Sequence, residues 1–194
     1  MVTATATVFV WSAIGSYGLG NWLLEVFPAI LGAIYLALTW RRFRFTDFVL
    51  TLIAIHMMIL MVGGHYSYAR VPLFNWVRDS WHLSRNYYDR VGHFAQGFVP
   101  AMIAREVLLR RSPLKRGSLL FFICLCICMA ISAWYELLEF AVAKFSGTGA
   151  DDFLGSQGDV WDTQWDMTWC FIGSTISLTF MSRWQDKWLR VDAA

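Results

Sequence analysis

The sequence carries acidic side chains and one histidine at spacings that would bring them together on helices. Asp89 and His93 are four residues apart and Gln96 follows three residues later, so one face of a helix would carry all three. Five further acids follow in two later segments: Glu136 and Glu139, then Asp159, Asp162 and Asp166. The last three recur at i, i+3 and i+7, within roughly 60° of arc if they are helical. Three helices could therefore direct carboxylates and an imidazole at one point.

Divalent metal binding is the chemistry that such a group of side chains supports. Oxygen-rich ligation with one or two imidazoles suits Mn, Mg or Zn better than a metal that prefers thiolates. The expected metal ligands are Asp89, His93, Glu139, Asp162 and Asp166. Glu136 and Asp159 are then the acids expected to act in catalysis, with Glu136 as general base for a metal-bound water.

Four arginines near these acids provide a structural alternative. They are Arg70, Arg78, Arg85 and Arg90. Salt bridges between these arginines and the acids would order the outer loops without any metal. Both interpretations stay open, because ionisable residues inside a membrane are usually functional whereas buried ion pairs are common.

Membrane-spanning helices are the elements that must position these residues. The chain has 194 residues, of which 57% are hydrophobic and 15% are charged. A soluble domain of this size could not bury so much apolar surface in one core. The apolar runs are too long for barrel strands, and an open sheet edge is not tolerated in lipid. The expected fold is an all-α membrane protein with a single integral membrane domain over residues 1–194, and the net charge of +2 indicates no nucleic-acid partner.

Six transmembrane helices are expected, with both termini in the cytoplasm. The spans lie near residues 4–18, 22–40, 46–63, 92–109, 118–143 and 166–182. The fourth is the least apolar, but six crossings place three basic clusters on one side of the membrane, as the positive-inside rule requires. These clusters lie at residues 41–44, 110–116 and 183–190. Ten of the 14 acids, Asp151 and Asp152 among them, then lie at or beyond the outer boundary.

Two smaller expectations concern the outer loop and the third span. In the long outer loop at 64–91, Leu73, Trp76, Val77 and Trp81 recur at helical spacing, which predicts a short interfacial helix. His56 lies in an apolar, Met-rich span, where a hydrogen bond between helices is a more common role for histidine than metal ligation.

Several longer stretches resemble a known family. They are Val62–His65, His82–Arg85, Tyr88–Pro100, Trp134–Glu139 and Gly158–Met167. Together they resemble the bacterial inner-membrane YjdF family over nearly the whole chain from Trp22 onward. The resemblance implies a multi-pass protein of the bacterial inner (plasma) membrane and carries no established activity.

A fainter resemblance connects the chain to the VanZ-like membrane proteins. The order of Asp89, Arg90, His93, Glu136, Asp162, Asp166 and Gly173 is similar to the pattern of that family. Glu139 stands where the family often has Gln, and no obvious Asn follows Asp166. VanZ-like proteins are linked with glycopeptide tolerance and the cell envelope, so this resemblance implies a role with envelope lipids.

Three functions are therefore considered. The first is a metal-dependent hydrolase or transferase that acts on the head group of an envelope lipid at the outer leaflet, with membrane lipids as its partners. The second is a lipid or solute transporter or flippase, although such proteins usually place their site near the bilayer midplane. The third is a structural accessory subunit. The sequence neither requires nor excludes a homo-oligomer.

Overall fold

The computed structural model of the chain describes residues 1–146 and 156–189, and all regular structure within these ranges is helical. The α-helices are α1 Val2–Ala13, α2 Leu19–Thr39, α3 Asp47–Tyr66, α4 Pro72–Trp81, α5 Tyr88–Arg111, α6 Ser118–Ser146, α7 Asp162–Ile176 and α8 Ser182–Leu189. A π-helical turn, Ser177–Met181, joins α7 to α8. The expected outer acids Asp151 and Asp152, and Arg190 of the third basic cluster, lie outside the described residues. The all-α fold class is confirmed.

Three of the described helices are long and apolar enough to cross a membrane. They are α2, α3 and the Ser118–Phe145 part of α6. Of the helices at the other expected spans, α1 is apolar but short, α5 is long but not apolar enough, and α7, with 15 residues, meets neither condition. α1 is apolar but has 12 residues, about 18 Å, because the chain leaves the helix at Ile14 and Gly15 takes a φ of +68°. α5 has 24 residues but carries charged side chains in both halves.

α5 lies at the centre of the bundle, in contact with α3, α6 and α7. Its charged residues are buried at both ends: Asp89 and Arg90 in the first turn, Arg105 and Glu106 in the second half. Arg90 donates to Asp162 of α7, and Arg105 donates to Asp186 of α8. Glu106 accepts from Thr46, and Asp89 lies 3.6 Å from Arg85 in the segment before α5. Because these charged side chains are buried against other parts of the protein, a helix of low hydropathy fits inside the bundle.

Two glycines allow α5 and α7 to approach more closely than other residues would. A Cβ at Gly97 of α5 would overlap the backbone oxygen of Cys170, and a Cβ at Gly173 of α7 would overlap the backbone oxygen of Phe94. Small residues at such a crossing let helix backbones pack directly against each other in membranes. The crossing fixes the N-terminal halves of the two helices side by side.

The opposite end of α5 brings the basic clusters together. Arg110 donates to the backbone oxygen of Arg44 at 2.8 Å, and Arg111 donates to that of Arg42 at 2.6 Å. From the same half of α5, Arg105 donates to Gln185 and to Asp186 of α8, both at 2.8 Å. The acids of the site described below lie at the other end, so the bundle has one basic end and one acidic end.

Replacing Glu106 by alanine will destabilise this basic end. Glu106 is fully buried and accepts hydrogen bonds from the backbone N–H and the hydroxyl of Thr46, at 2.8 and 2.7 Å, and from Arg110 at 2.7 Å. Loss of the carboxylate leaves partly buried donors without an acceptor, so we expect the free energy of unfolding to fall by about 2 kcal/mol. Thermal unfolding of the detergent-solubilised protein measures this change. The exposed Asp47→Asn is the matched control, and equal melting temperatures for the two variants would contradict the prediction.

The predicted helix of the outer loop is confirmed as α4, which begins at Pro72 and ends where His82 takes a left-handed conformation. None of its residues is buried, and Leu73, Trp76 and Trp81 are each more than 60% exposed. Arg78 and Asp79 form an exposed ion pair at 2.8 Å, and the hydrogen bond from Arg78 lowers the pKa of the Asp79 carboxyl. An exposed amphipathic helix of this kind is typical of a segment that lies along a membrane interface.

Candidate functional site

The N-terminal ends of α5 and α7 bring three of the expected metal ligands together. Asp89 and His93 lie on successive turns of α5, and Asp166 lies on the second turn of α7. The imidazole Nε2 of His93 is 3.4 Å from Asp89 Oδ1 and 3.6 Å from Asp166 Oδ1. One ligand atom from each residue lies within 4.8 Å of the other two, and all three residues are buried. We call these residues the Asp–His–Asp triad.

The other ring nitrogen of His93 faces an amide oxygen. His93 Nδ1 lies 3.2 Å from Gln96 Oε1, the residue expected on the same face of the helix. An amide oxygen only accepts hydrogen bonds, so this contact places a proton on Nδ1. Nε2 is the ring nitrogen that lies toward the two aspartates, and it can bind a metal only when it carries no proton.

Two buried arginines contact the remaining carboxylates. Asp162 Oδ1 accepts from Arg85 Nη1 and from Arg90 Nη2, both at 2.6 Å. Arg90 also contacts Asp166 closely and lies 3.3 Å from Asp89 Oδ2. Asp159 lies 3.4 Å from both guanidinium groups. Four carboxylates therefore share two guanidinium groups, and two of these carboxylates belong to the triad.

The seven expected site residues have different environments. Asp162 is held by the arginines, and Asp159 precedes α7 rather than continuing its helical face, since α7 begins at Asp162. Glu136 is buried on α6 with its Oε1 3.9 Å from His93 Nδ1, and this oxygen has no hydrogen-bond partner among the described residues. Glu139 lies one turn further along α6 and borders a cavity instead of the triad.

The four arginines of the structural alternative divide into two pairs. Arg85 and Arg90 are buried among the acids, as that alternative expected. Arg78 pairs with exposed Asp79, and the guanidinium of Arg70 lies over the ring of Tyr17 at 4.1 Å. The ion pairs and the Asp–His–Asp triad therefore overlap at Asp89 and Asp166.

A cavity of about 240 Å³ extends from the triad into the bundle between α2, α3, α5 and α6. Its polar end is lined by Asp89, His93, Gln96, Glu25 and Glu139, and by the rings of Tyr68 and Tyr135. Burial raises the pKa of Tyr68, in the turn after α3, well above its usual value, so its phenol stays protonated. The other end is lined mainly by apolar side chains, Ile53, Met57, Val99 and Ile131 among them.

Glu25 and His56 were not expected at this site. Glu25 is an isolated acid in an apolar helix, without a partner at i+3 or i+4, and helical spacing therefore gave no reason to group it with the others. Its side chain is 5% exposed and borders the cavity. His56 also borders the cavity, and its Nε2 forms no hydrogen bond with the described residues, so this nitrogen does not make the expected bond between helices.

The fold and the site together define a class: a helical integral membrane protein with a buried polar cluster at one end of its bundle. A family model described as "Predicted membrane protein (DUF2238)" matches residues 1–187. The chain is 44% identical to the inner membrane protein YjdF of Escherichia coli (strain K12) over 183 residues, which cover 94% of this chain and 88% of that relative. The chain therefore belongs to this family of inner-membrane proteins, in agreement with the resemblance noted above. No solved structure matches it.

Proposed function

We propose that this protein binds a divalent cation, Mn, Mg or Zn, through the Asp–His–Asp triad at the outer face of the inner membrane. The bound cation acts on the head group of an envelope lipid. The convergence of one ligand atom each from Asp89, His93 and Asp166 within 4.8 Å carries this proposal.

The distances within the triad fit a shared ion better than direct hydrogen bonds. Ligands bonded to one ion at 2.0–2.2 Å are about 3.0–3.5 Å apart. The two distances from His93 Nε2, 3.4 and 3.6 Å, are close to that range and longer than the usual limit of about 3.2 Å for an N–H···O hydrogen bond. Asp166 can bind a cation while it accepts from Arg90, because a carboxylate offers two oxygens with about four lone-pair sites.

The balance of charge also supports a bound cation. Within the part of the chain that the structure describes, Arg85 and Arg90 are the two guanidinium groups that pair with four aspartates, which leaves a deficit of two positive charges when His93 is neutral. A divalent ion supplies both. Glu136 adds a buried, unpartnered oxygen 3.9 Å from His93 Nδ1. Buried carboxylates without a counter-charge are costly, and a cation removes much of that cost.

The proposed topology has six passes with both termini in the cytoplasm, within a single membrane domain. The basic end of the bundle then faces the cytoplasm and the triad lies near the outer head groups. α5 and the α7–α8 run cross with their charges turned toward protein. α1, at about 18 Å, is shorter than the hydrocarbon, so its pass requires local thinning of the bilayer.

This geometry suits chemistry at a phosphoryl or carbonyl oxygen of a lipid. A cation at the triad polarises that oxygen and activates a water, and Glu136 is the acid close enough to take up a proton. The cavity beside the triad gives an acyl chain a path from the bilayer. Asp159, at the solvent-facing rim, is placed to contact the polar part of the head group.

Metal analysis of purified protein tests the proposal. After incubation with MnCl₂ and desalting, we expect about one Mn per chain in the parent protein. His93→Ala and Asp166→Asn should weaken binding by roughly tenfold or more, whereas the exposed Asp79→Asn should not alter it. A folded parent protein that retains no Mn, Mg or Zn, or a His93→Ala variant that binds like the parent, would overturn the proposal.

A structural accessory role is the second candidate, and the pairing of Arg85 and Arg90 with Asp162 favours it. These pairs connect the segment before α5 to the start of α7. If this is the whole role of the cluster, Asp162→Asn will lower the melting temperature and the protein will bind no metal. The metal analysis therefore separates the two candidates.

A further inference from the structure

The cavity between α2, α3, α5 and α6 is bordered by two acids, and the basic side chains among its described lining residues are the imidazoles of His56 and His93. Glu25 on α2 and Glu139 on α6 both border it, and neither forms a hydrogen bond or an ion pair with another described residue. None of the described residues that line the cavity is Lys or Arg. The Glu25 residue is also buried, with 5% of its surface exposed. A buried carboxylate in this setting calls for a cationic ligand.

We propose that this cavity binds the ammonium group of an aminophospholipid, with Glu25 and Glu139 as the recognising carboxylates. The inference goes beyond the cation site, because it rests on Glu25 and Glu139, which do not belong to the triad. The ligand class is a lipid whose head group ends in a primary ammonium, of which phosphatidylethanolamine is the simplest example.

The remaining lining residues fit an ammonium. The rings of Tyr68 and Tyr135 border the polar end, and an aromatic face attracts a cation by about 0.5–2 kcal/mol. Pro28 of α2 and Pro100 of α5 also line the cavity. Each proline lacks the N–H that would bond the carbonyl four residues earlier, at Leu24 and Gln96. Gln96 itself lines the cavity, so its carbonyl is a further acceptor for an ammonium group.

The shape of the cavity fits the rest of the lipid. Away from Glu25 and Glu139 it is lined mainly by apolar side chains, which suit methylene groups. α2 packs on α3, and α6 packs on α5 and α7, while no comparably extensive contact joins α2 to α6 in the described part of the chain. Ile131 lines the cavity and is 41% exposed on the outside of α6. A lipid can thus enter sideways between α2 and α6.

A binding comparison in EDTA tests this inference separately from the metal proposal. The probes are dihexanoyl phosphatidylethanolamine and dihexanoyl phosphatidylglycerol, kept below their micellar concentrations and titrated calorimetrically into the detergent-solubilised protein. Both carry the same chains and phosphate, so the ratio of their dissociation constants isolates the ammonium. We expect phosphatidylethanolamine to bind at least tenfold more tightly. We further expect this ratio to fall to near one in the Glu25→Gln, Glu139→Gln double variant.

Two further variants serve as controls for the ratio of the two dissociation constants. Asp79→Asn removes an exposed carboxylate far from the cavity and should keep the ratio of the parent protein. Gly32→Leu should weaken both lipids alike, because Gly32 lines the cavity and an added side chain there meets only the flexible end of Met57. If the double variant does not fold, each single Gln variant should lower the ratio by at least threefold. Equal affinity of the parent protein for the two lipids, or a preference that survives loss of both carboxylates, would overturn the inference, whatever the metal analysis shows.

Discussion

Replacing Gly97 by alanine will push α5 away from α7 and lower the melting temperature by roughly 5–10 °C. The added methyl group overlaps the backbone oxygen of Cys170, and a backbone atom inside a helix cannot turn away as a flexible side chain can. Overpacking of this kind costs about 1–3 kcal/mol, and more where neither side can shift. At roughly 2–4 °C per kcal/mol for a chain of this size, the expected loss is large and easily measured by thermal unfolding.

The Gly97 variant has a matched control and a second readout. Gly20→Ala adds the same methyl group to α2, where nothing lies within 4 Å, and should leave stability unchanged or raise it slightly. Because the crossing of α5 and α7 sets the distance from His93 to Asp166, Gly97→Ala should also weaken Mn binding. Gly173→Ala acts at the same crossing, so the effects of the two variants should not add. A Gly97→Ala protein that melts within 2 °C of the parent would show that the helices are not in direct contact.

Replacing Arg90 by glutamine should have an effect of similar size at the acidic end. The guanidinium of Arg90 contacts Asp89, Asp162 and Asp166, and its side chain is 5% exposed. Removing one partner of a buried ion pair typically costs about 3–5 kcal/mol, because the remaining charges lose their compensation. We expect a melting temperature lower by roughly 10 °C, with the exposed Arg78→Gln as the control that leaves it unchanged.

Mn should partly reverse the loss in Arg90→Gln. A ligand that binds only the folded state stabilises it in proportion to its affinity, and the variant has one positive charge fewer to compete with the ion. The shift in melting temperature on adding MnCl₂ should therefore be larger in Arg90→Gln than in the parent protein. Destabilisation without any response to Mn would favour the structural role of the cluster. If the variant is as stable as the parent protein, Arg90 does not form the buried ion pairs described above.

Helical periodicity was sufficient to predict the centre of the site. Asp89 and His93 are related by i,i+4 spacing within one helix, and that spacing fixes their proximity whatever surrounds them. Asp166 comes close to these two residues because a second helix passes close to α5, and Gly97 and Gly173 allow that close approach. The sequence contains both glycines, but the contact that needs them exists only in the packed bundle.

Other features could not be predicted because they depend on three-dimensional context. Periodicity put Asp159 on the face of Asp162 and Asp166, yet Gly158, at a φ of +85°, lies in a turn before the helix. A metal and the arginines Arg85 and Arg90 compete for the same carboxylates. The outcome depends on distances in the folded protein, which residue spacing along the chain does not give. Glu25 belongs to the cavity only because α2 packs against α3 at Gly64.

An anomalous difference map of Mn-loaded protein is the most direct test of the central claim, that the triad binds a divalent cation. Data collected at the Mn absorption edge should show one strong peak within about 2.3 Å of His93 Nε2 and of one oxygen each from Asp89 and Asp166. The peak should be absent in crystals of His93→Ala. A map of the parent protein with no peak at the triad, and with Arg90 alone balancing Asp166, would contradict the account.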